Sequence, residues 1–304
     1  MSAHNWYEHK EKTSLGYTMM LFVLKFFPAG FMRFLAYIIG FFYWLFDKKS
    51  RETSRNYLAH TDKKSTLKHF CSFALNLVEN VQSWAGKFSF KNVFWQNDDV
   101  QDLVSNINAG RGTVVVMSHL GNPQMMKALA SMNEAGTERK MSITSIMDTE
   151  LTSGFGNLVK KINPNSSFHL ISSNNIGPDT VLLLQERLEK GEMVVVAGDR
   201  ISAHTERFIE LPFLGENAKF PYGVFLMIAL LDFPTYFVTG LRQKDITLQP
   251  KYDMFVKKNP IGFDCTRKER EERIHQTAQN YVANLENLCK LHPYQWYNFF
   301  DFWG

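Results

Sequence analysis

The 304-residue chain is predicted to be α/β, with a mostly parallel central sheet covered by helices and a hydrophobic membrane-anchor helix near the N-terminus. Three observations carry that expectation. Short β-prone runs alternate with segments of helical periodicity from Thr113 to Leu291. Two of those runs, Thr113–Val116 and Met193–Ala197, have the composition of buried strands. Gly16–Phe46, by contrast, behaves unlike a soluble domain.

Residues 1–60 form an anchoring segment, and 61–304 the main domain. Lys25, Pro28 and Arg33 interrupt the apolar stretch, so no run reaches the ~20 residues of a clean span. A tilted span, an in-plane anchor and a buried helix all fit it. Tyr37, Tyr43 and Trp44 suit a membrane interface, and Lys48, Lys49, Arg51 and Arg55 would keep the next domain on the cytoplasmic side. The stretch is too long for a cleaved signal and lacks a small-residue cleavage site.

Asp62–Ala85 is expected to be a helix with Leu67, Phe70, Ala74, Leu77, Val78 and Val81 on one face. Asn97–Arg111 reads as a polar connection. Strands are expected at Met141–Met147, Phe168–Ser172, Met193–Ala197 and Thr235–Gly240. Helices are expected from Gln124, over Leu151–Ile162, over Pro178–Lys190 with Asp179 in the first turn and Gly191 past the end, over Pro221–Leu231 and over Arg267–Leu291. The aromatic tail Tyr294–Trp303 should dock onto the core or onto lipid.

Composition narrows the function classes. Aromatic residues make up 14% of the chain, with 26 Phe, which suits lipid handling. A net charge of +4 fits an anionic membrane surface or an acidic partner, and no nucleic-acid motif is present. Cys71, Cys265 and Cys289 are far apart, as in a reducing compartment. His119, His169 and His204 lack metal-ligand spacing. Neither a Gly-x-Ser-x-Gly elbow nor a phosphate-binding glycine loop occurs.

His119 is the leading candidate residue. It follows the strand Thr113–Met117 directly, and Gly121, Asn122 and Pro123 supply a turn, an N-cap and a first helical residue. The positive end of that helix favours a neutral imidazole able to accept a proton.

Ser118-His-Leu-Gly-Asn-Pro123, with Gln124 five residues after the His, resembles the HX4D/E block of bacterial lysophospholipid-type acyltransferases. The closer similarity is to the lipid A biosynthesis lauroyl/myristoyl acyltransferase family, in its branch associated with glycolipid and aryl polyene assembly. Gly198-Asp199-Arg200, Pro212-Phe-Leu-Gly215, Phe220-Pro221, the N-terminal anchor and the aromatic C-terminus extend the resemblance over most of the chain.

The resemblance implies a glycerolphosphate-acyltransferase-like fold in which 61–304 is the catalytic domain. It implies attachment to the cytoplasmic face of the cell inner membrane, without cofactor or metal. The reaction would move an acyl chain from an acyl carrier protein or coenzyme A thioester to a hydroxyl of a membrane lipid or glycolipid, such as a lipid A precursor. His119 would be the general base, with Gln124 at the place of the carboxylate that orients it. Arg200 would bind an anionic group of the acceptor, with Asp199 and Lys219 in the same pocket; an Arg200–Asp199 pair closing the sheet's end fits the residues equally. Gly121 and Asn122 could present backbone N–H groups to an oxyanion. A basic group, Arg242, Lys244, Lys251, Lys257, Lys258 and Arg267–Arg273, is either a docking surface for an acidic carrier or a solvated face.

Gln124 carries no charge, and three explanations stand open. It replaces a Glu that was changed by design, the chain is a weaker or repurposed member, or Asp148 or Asp199 supplies the charge. A catalytically weak homologue serving as a lipid- or carrier-binding assembly subunit is the rival reading, and a thioesterase using the same His a third.

Overall fold

The computed structural model describes residues 27–131, 137–147, 168–201 and 207–303. Gly16–Phe26, Asp148, the helix expected over Leu151–Ile162 and His204 lie outside the described residues. In chain order the described segments form α1 (Ala29–Phe46), α2 (Lys48–Ala59), α3 (Thr66–Trp84), β1 (Val93–Trp95), α4 (Asp99–Asn108), β2 (Thr113–Met117), α5 (Pro123–Ser131), β3 (Ile143–Met147) and β4 (Phe168–Ser172). There follow α6 (Pro178–Glu189), β5 (Met193–Ala197), β6 (Phe208–Phe213), β7 (Glu216–Pro221), α7 (Tyr222–Leu231), β8 (Thr235–Arg242), β9 (Tyr252–Lys258) and α8 (Arg267–Leu291).

Seven strands make one sheet in the order β1-β9-β8-β2-β5-β3-β4. From β8 to β4 every neighbour is parallel; β9 alone runs antiparallel to β8, and β1 follows β9. The sheet is therefore mostly parallel, with helices on both faces. Alternation along β2 divides its side chains between two cores. Val114 and Val116 pack with α7, α8 and the C-terminal tail, and Val115 and Met117 with α4 and α5.

Several segments differ from the expectation. Asn97–Arg111 is not a connection but contains α4, whose Val100, Leu103 and Ile107 are buried at helical spacing. Asp99 and Asp102 in its first turn suit the helix dipole, and they made the segment read as a polar loop. The hairpin β6–β7, the edge strand β1 and its neighbour β9 were also not foreseen. In β6 every second residue is buried, an alternation that the Pro212-Phe-Leu-Gly block obscured.

The helix α1 is long and apolar enough to cross a membrane, with mean hydropathy 1.5, yet it lies against α3. Met32, Arg33, Ala36 and Gly40 form its buried stripe. A Cβ at Gly40 would come within 3.1 Å of Ala74 Cβ, so glycine lets the two helices approach closely. Arg33 donates to Leu248 O at 2.8 Å and to Gln82 Oε1 at 2.7 Å, tying the stripe to protein. Phe31, Phe34, Ile38, Ile39, Phe42 and Phe46 face outward.

The tail docks onto the core. Trp296 is fully buried and meets Tyr57, Phe213 and Phe302 edge-on. His69 of α3 fastens the tail to α2: its Nδ1 pairs with Ser54 Oγ at 2.9 Å and its Nε2 with Trp296 O at 2.9 Å. Burial pushes the His69 pKa down to about 4. The unfolded chain therefore takes up a proton near pH 6.5 that the native state refuses until about pH 4. Native stability is present above pH 6.5 and falls by about 3 kcal/mol between pH 6.5 and 4 on this account. His69→Asn should flatten that part of the urea-midpoint profile against pH. An unchanged profile would contradict the assignment.

Candidate functional site

The site follows from strand register. β2 and β5 are central neighbours, aligned from Thr113↔Met193 to Met117↔Ala197. Each strand is followed by one more residue, Ser118 or Gly198, and then by a polar side chain. The alignment thus sets His119 opposite Asp199 at the carboxyl edge of the sheet, where open α/β sheets place their ligands. Gly198 permits the approach, because a Cβ there would come within 2.8 Å of Val116 Cγ1 and 2.9 Å of the Tyr281 ring.

His119 Nδ1 lies 2.9 Å from Asp199 Oδ1. Asp199 Oδ2 accepts from the His119 backbone N–H at 2.8 Å and from Trp296 Nε1 at 3.1 Å. Asp199 is 1% exposed, while the His119 side chain is 35% exposed. Burial opposes ionisation of Asp199, but the His119 charge and hydrogen bonds and the Arg200 charge hold its pKa down at about 2. It is therefore a carboxylate at every working pH. Burial and the Arg200 charge lower the His119 pKa, against the pull of Asp199, so the resting ring is neutral near pH 7. An ionised carboxylate on Nδ1 assigns the proton to that nitrogen and leaves Nε2 as the acceptor. This pair can take a proton from a hydroxyl and stabilise the resulting imidazolium.

The tail clamps the same loop. Tyr297 N–H donates to His119 O at 3.2 Å, and Gly121 N–H to Gln295 O at 2.8 Å. Trp296, which sequence reasoning did not single out, is thus a positioning residue. One aromatic in a tail full of them gave no signal.

The other expected site residues are placed as follows. Gly121 adopts φ +71°, and a Cβ would come within 2.1 Å of Gly240 O, so this position requires glycine. The oxyanion role expected of Gly121 and Asn122 is corrected. The Gly121 N–H is engaged by Gln295, and the Asn122 N–H donates to Gly240 O at 2.9 Å, so neither points to a substrate. Asn122 is the helix cap: its Oδ1 accepts from Met125 N–H at 2.8 Å, and its Nδ2 donates to Tyr252 OH at 3.1 Å.

Gln124 does not orient the ring, since Asp199 occupies Nδ1, and its buried Oε1 has no hydrogen-bond partner. Asp199, expected among substrate-binding residues, is instead enclosed by His119 and Trp296. Arg200 donates to Tyr297 O at 3.0 Å and lies over the Phe300 ring at 5.3 Å, beside the His–Asp pair. Lys219 is an exposed residue of β7 over the Phe208 ring. Arg242 does not belong to a surface basic group, being fully buried.

A narrow cavity of about 580 Å³, its mouth included, runs along the sheet face that carries Met117. Met117, two residues before His119, lines it toward the carboxyl edge of the sheet, and Met193 toward the opposite edge. Those two levels of the paired strands are about 13 Å apart. Ile107, Val115, Leu129, Ile143 and Val195 line it, with Lys127 and Thr137 the polar residues in its wall. No cluster of metal-ligating side chains occurs among the described residues.

Compared with models of known protein families and with characterised proteins, the chain matches none.

Proposed function

We propose that the chain is a membrane-attached O-acyltransferase that moves a fatty acyl chain from an acyl carrier protein or coenzyme A thioester to a hydroxyl of a membrane lipid or glycolipid, such as a lipid A precursor. The observation that carries this reading is the His119–Asp199 pair, two residues beyond the Met117 that lines a narrow apolar cavity. The finer fold assignment, a glycerolphosphate-acyltransferase-like sheet, belongs to the same proposal.

The chemistry follows from the ring's tautomer. The acceptor hydroxyl gives its proton to His119 Nε2 as its oxygen attacks the thioester carbonyl. The tetrahedral intermediate expels the thiolate, which takes the proton from the imidazolium and leaves as thiol, with the ester formed. No covalent enzyme intermediate is needed. Asp199 stabilises the imidazolium as the equivalent carboxylate does in hydrolase triads. The cavity receives the acyl chain, and Arg200, a planar donor at the rim, suits an anionic group on the acceptor.

The uncharged Gln124 was the ground for a catalytically weak binding subunit. With Asp199 supplying the charge, that ground is removed. The inner-membrane, cytoplasm-facing location rests on α1 and the cations after it. A helix held by Arg33 and Gly40 along one stripe suits an anchor lying in the interface, its outer phenylalanines in lipid. Lys251, Lys257 and Lys258, exposed near one edge of the sheet, remain a surface for an acidic carrier.

Mass spectrometry of membrane lipids from cells expressing the chain, Gln124→Glu and His119→Ala tests the reading. A lipid one acyl group heavier should appear with the first two at amounts within a few-fold, and not with His119→Ala. Acyl gain only in Gln124→Glu would reject Asp199 as the working carboxylate. No gain with any of them would reject the transferase reading in that host.

A further inference from the structure

Lys127 is not used by the chemistry above. It projects from α5 into the wall of the apolar cavity and is 6% exposed. Among the described residues its hydrogen-bond partners are Ser145 Oγ at 3.5 Å and Met147 Sδ at 3.6 Å, both long and both neutral. An ammonium in such surroundings has lost its water and gains no counter-charge among the described residues. Burial alone accordingly depresses its pKa to about 7. Methionine or leucine would fill the same space without that cost.

Position adds to this. Ser145 and Met147 lie in the half of β3 toward the carboxyl edge, and β3 is separated from β2 by β5 alone. Nζ therefore stands at the His119 end of the cavity, and the apolar walls extend from it toward Met141 and Met193. Along most of the ~13 Å toward Met193, an extended chain of up to roughly ten carbons would lie beyond that point.

We infer that Lys127 makes this cavity a binding site for a free single-chain carboxylic acid, the carboxylate lying on Nζ and the chain running toward Met193. A free fatty acid would then compete with the thioester for the same space. The inference rests on the acyl-cavity part of the reading above and not on transfer chemistry. A thioester or an alcohol of the same length lacks the charge and gains nothing comparable from Nζ.

The test is calorimetric titration of the full-length chain in a sterol-based detergent whose ring system the cavity does not admit. The probes are dodecanoate and dodecanol at pH 7.5, below their aggregation limits. The wild-type chain should bind dodecanoate about tenfold or more tightly than dodecanol, as a desolvated charge-assisted hydrogen bond provides. Lys127→Met should bring the two affinities within about twofold while keeping dodecanol binding. Lys127→Gln, neutral and polar, gives the same readout should the Met variant not fold. No preference for dodecanoate in the wild-type chain, or the same preference in the folded variants, overturns the inference. Since the titration contains no thioester and no acceptor, its failure and the failure of the transferase reading are seen separately.

Discussion

Asp199→Asn is expected to lower kcat for acyl transfer by about 10⁴, the loss that the same acid-to-amide change causes in a serine hydrolase triad. The geometry makes the comparison apt. Asp199 Oδ1 receives the ring N–H, while Oδ2 is held by the His119 backbone and the Trp296 indole. An Asn can keep one oxygen on the last two donors and must then turn its NH₂ toward Nδ1. The ring responds by moving its proton to Nε2, where the acceptor hydroxyl needs a lone pair. The imidazolium that forms during attack also loses its counter-charge. KM should change little, because Asp199 is enclosed and touches no substrate.

The double variant should fall no further than His119→Ala alone, since residues acting as one unit are not additive. The pH profile carries a separate sign. The His119 pKa lies below its ordinary value through burial and Arg200, so the acid limb of activity should fall below pH 6.5. Asp199 pulls that pKa up, so removing its charge should move the limb to lower pH still. A limb that moved upward would contradict the assigned partner.

Arg242→Met is expected to destabilise the fold by about 3–5 kcal/mol, the range for stripping one partner from a buried ion pair. Arg242 is fully buried in β8, 3.6 Å from Glu79 of α3. Its Nη2 donates to Ser72 O and Oγ at 2.8 Å and to Tyr297 OH at 2.6 Å. Tyr252 OH also donates to Glu79. Burial works against the guanidinium charge, but Glu79, Tyr297 and Tyr252 together outweigh it and hold Arg242 more firmly protonated than usual. Without Arg242, the buried Glu79 carboxyl keeps only Tyr252 and the Arg33 charge against the cost of burial. Glu79→Gln added to Arg242→Met should therefore recover part of the loss, and urea midpoints of the single and double variants measure it. A double variant less stable than Arg242→Met would contradict the pair. The network also reaches the site, because Arg242 N–H and O both bond the Gln295 side chain, whose backbone carbonyl holds Gly121.

Much of this architecture was legible where local signals agreed. Thr113–Met117 and Met193–Ala197 are β-prone and apolar throughout, and both became central parallel strands. The capping box Thr266–Glu269 opens α8 where helical periodicity begins. The edge strand β1 was less readable because its burial is one-sided: it is three residues long with Phe94 and Trp95 outward. The hairpin β6–β7 carries Pro and Gly that read as loop.

The site was half legible. His119 stood out by its position after a strand, whereas its partner lies 80 residues away in sequence. A signal existed: three valines, one residue of either Met or Ala, one small residue and then His or Asp end both strands. Using it required knowing that the strands pair in register, which is a tertiary fact. Trp296 and Lys127 carried no local signal, since each acquires its role only when the tail and α5 pack onto the sheet.

The most direct test of the central claim is thioester turnover by the purified chain in membrane-mimetic lipid. Dodecanoyl-acyl carrier protein and dodecanoyl coenzyme A are each supplied with and without a hydroxyl-bearing glycolipid acceptor. The account predicts that a donor is consumed only when the acceptor is present, that one ester forms per thiol released, and that His119→Ala abolishes both. Donor left intact under every condition would contradict it, and consumption to free fatty acid without acceptor would mark a thioesterase instead.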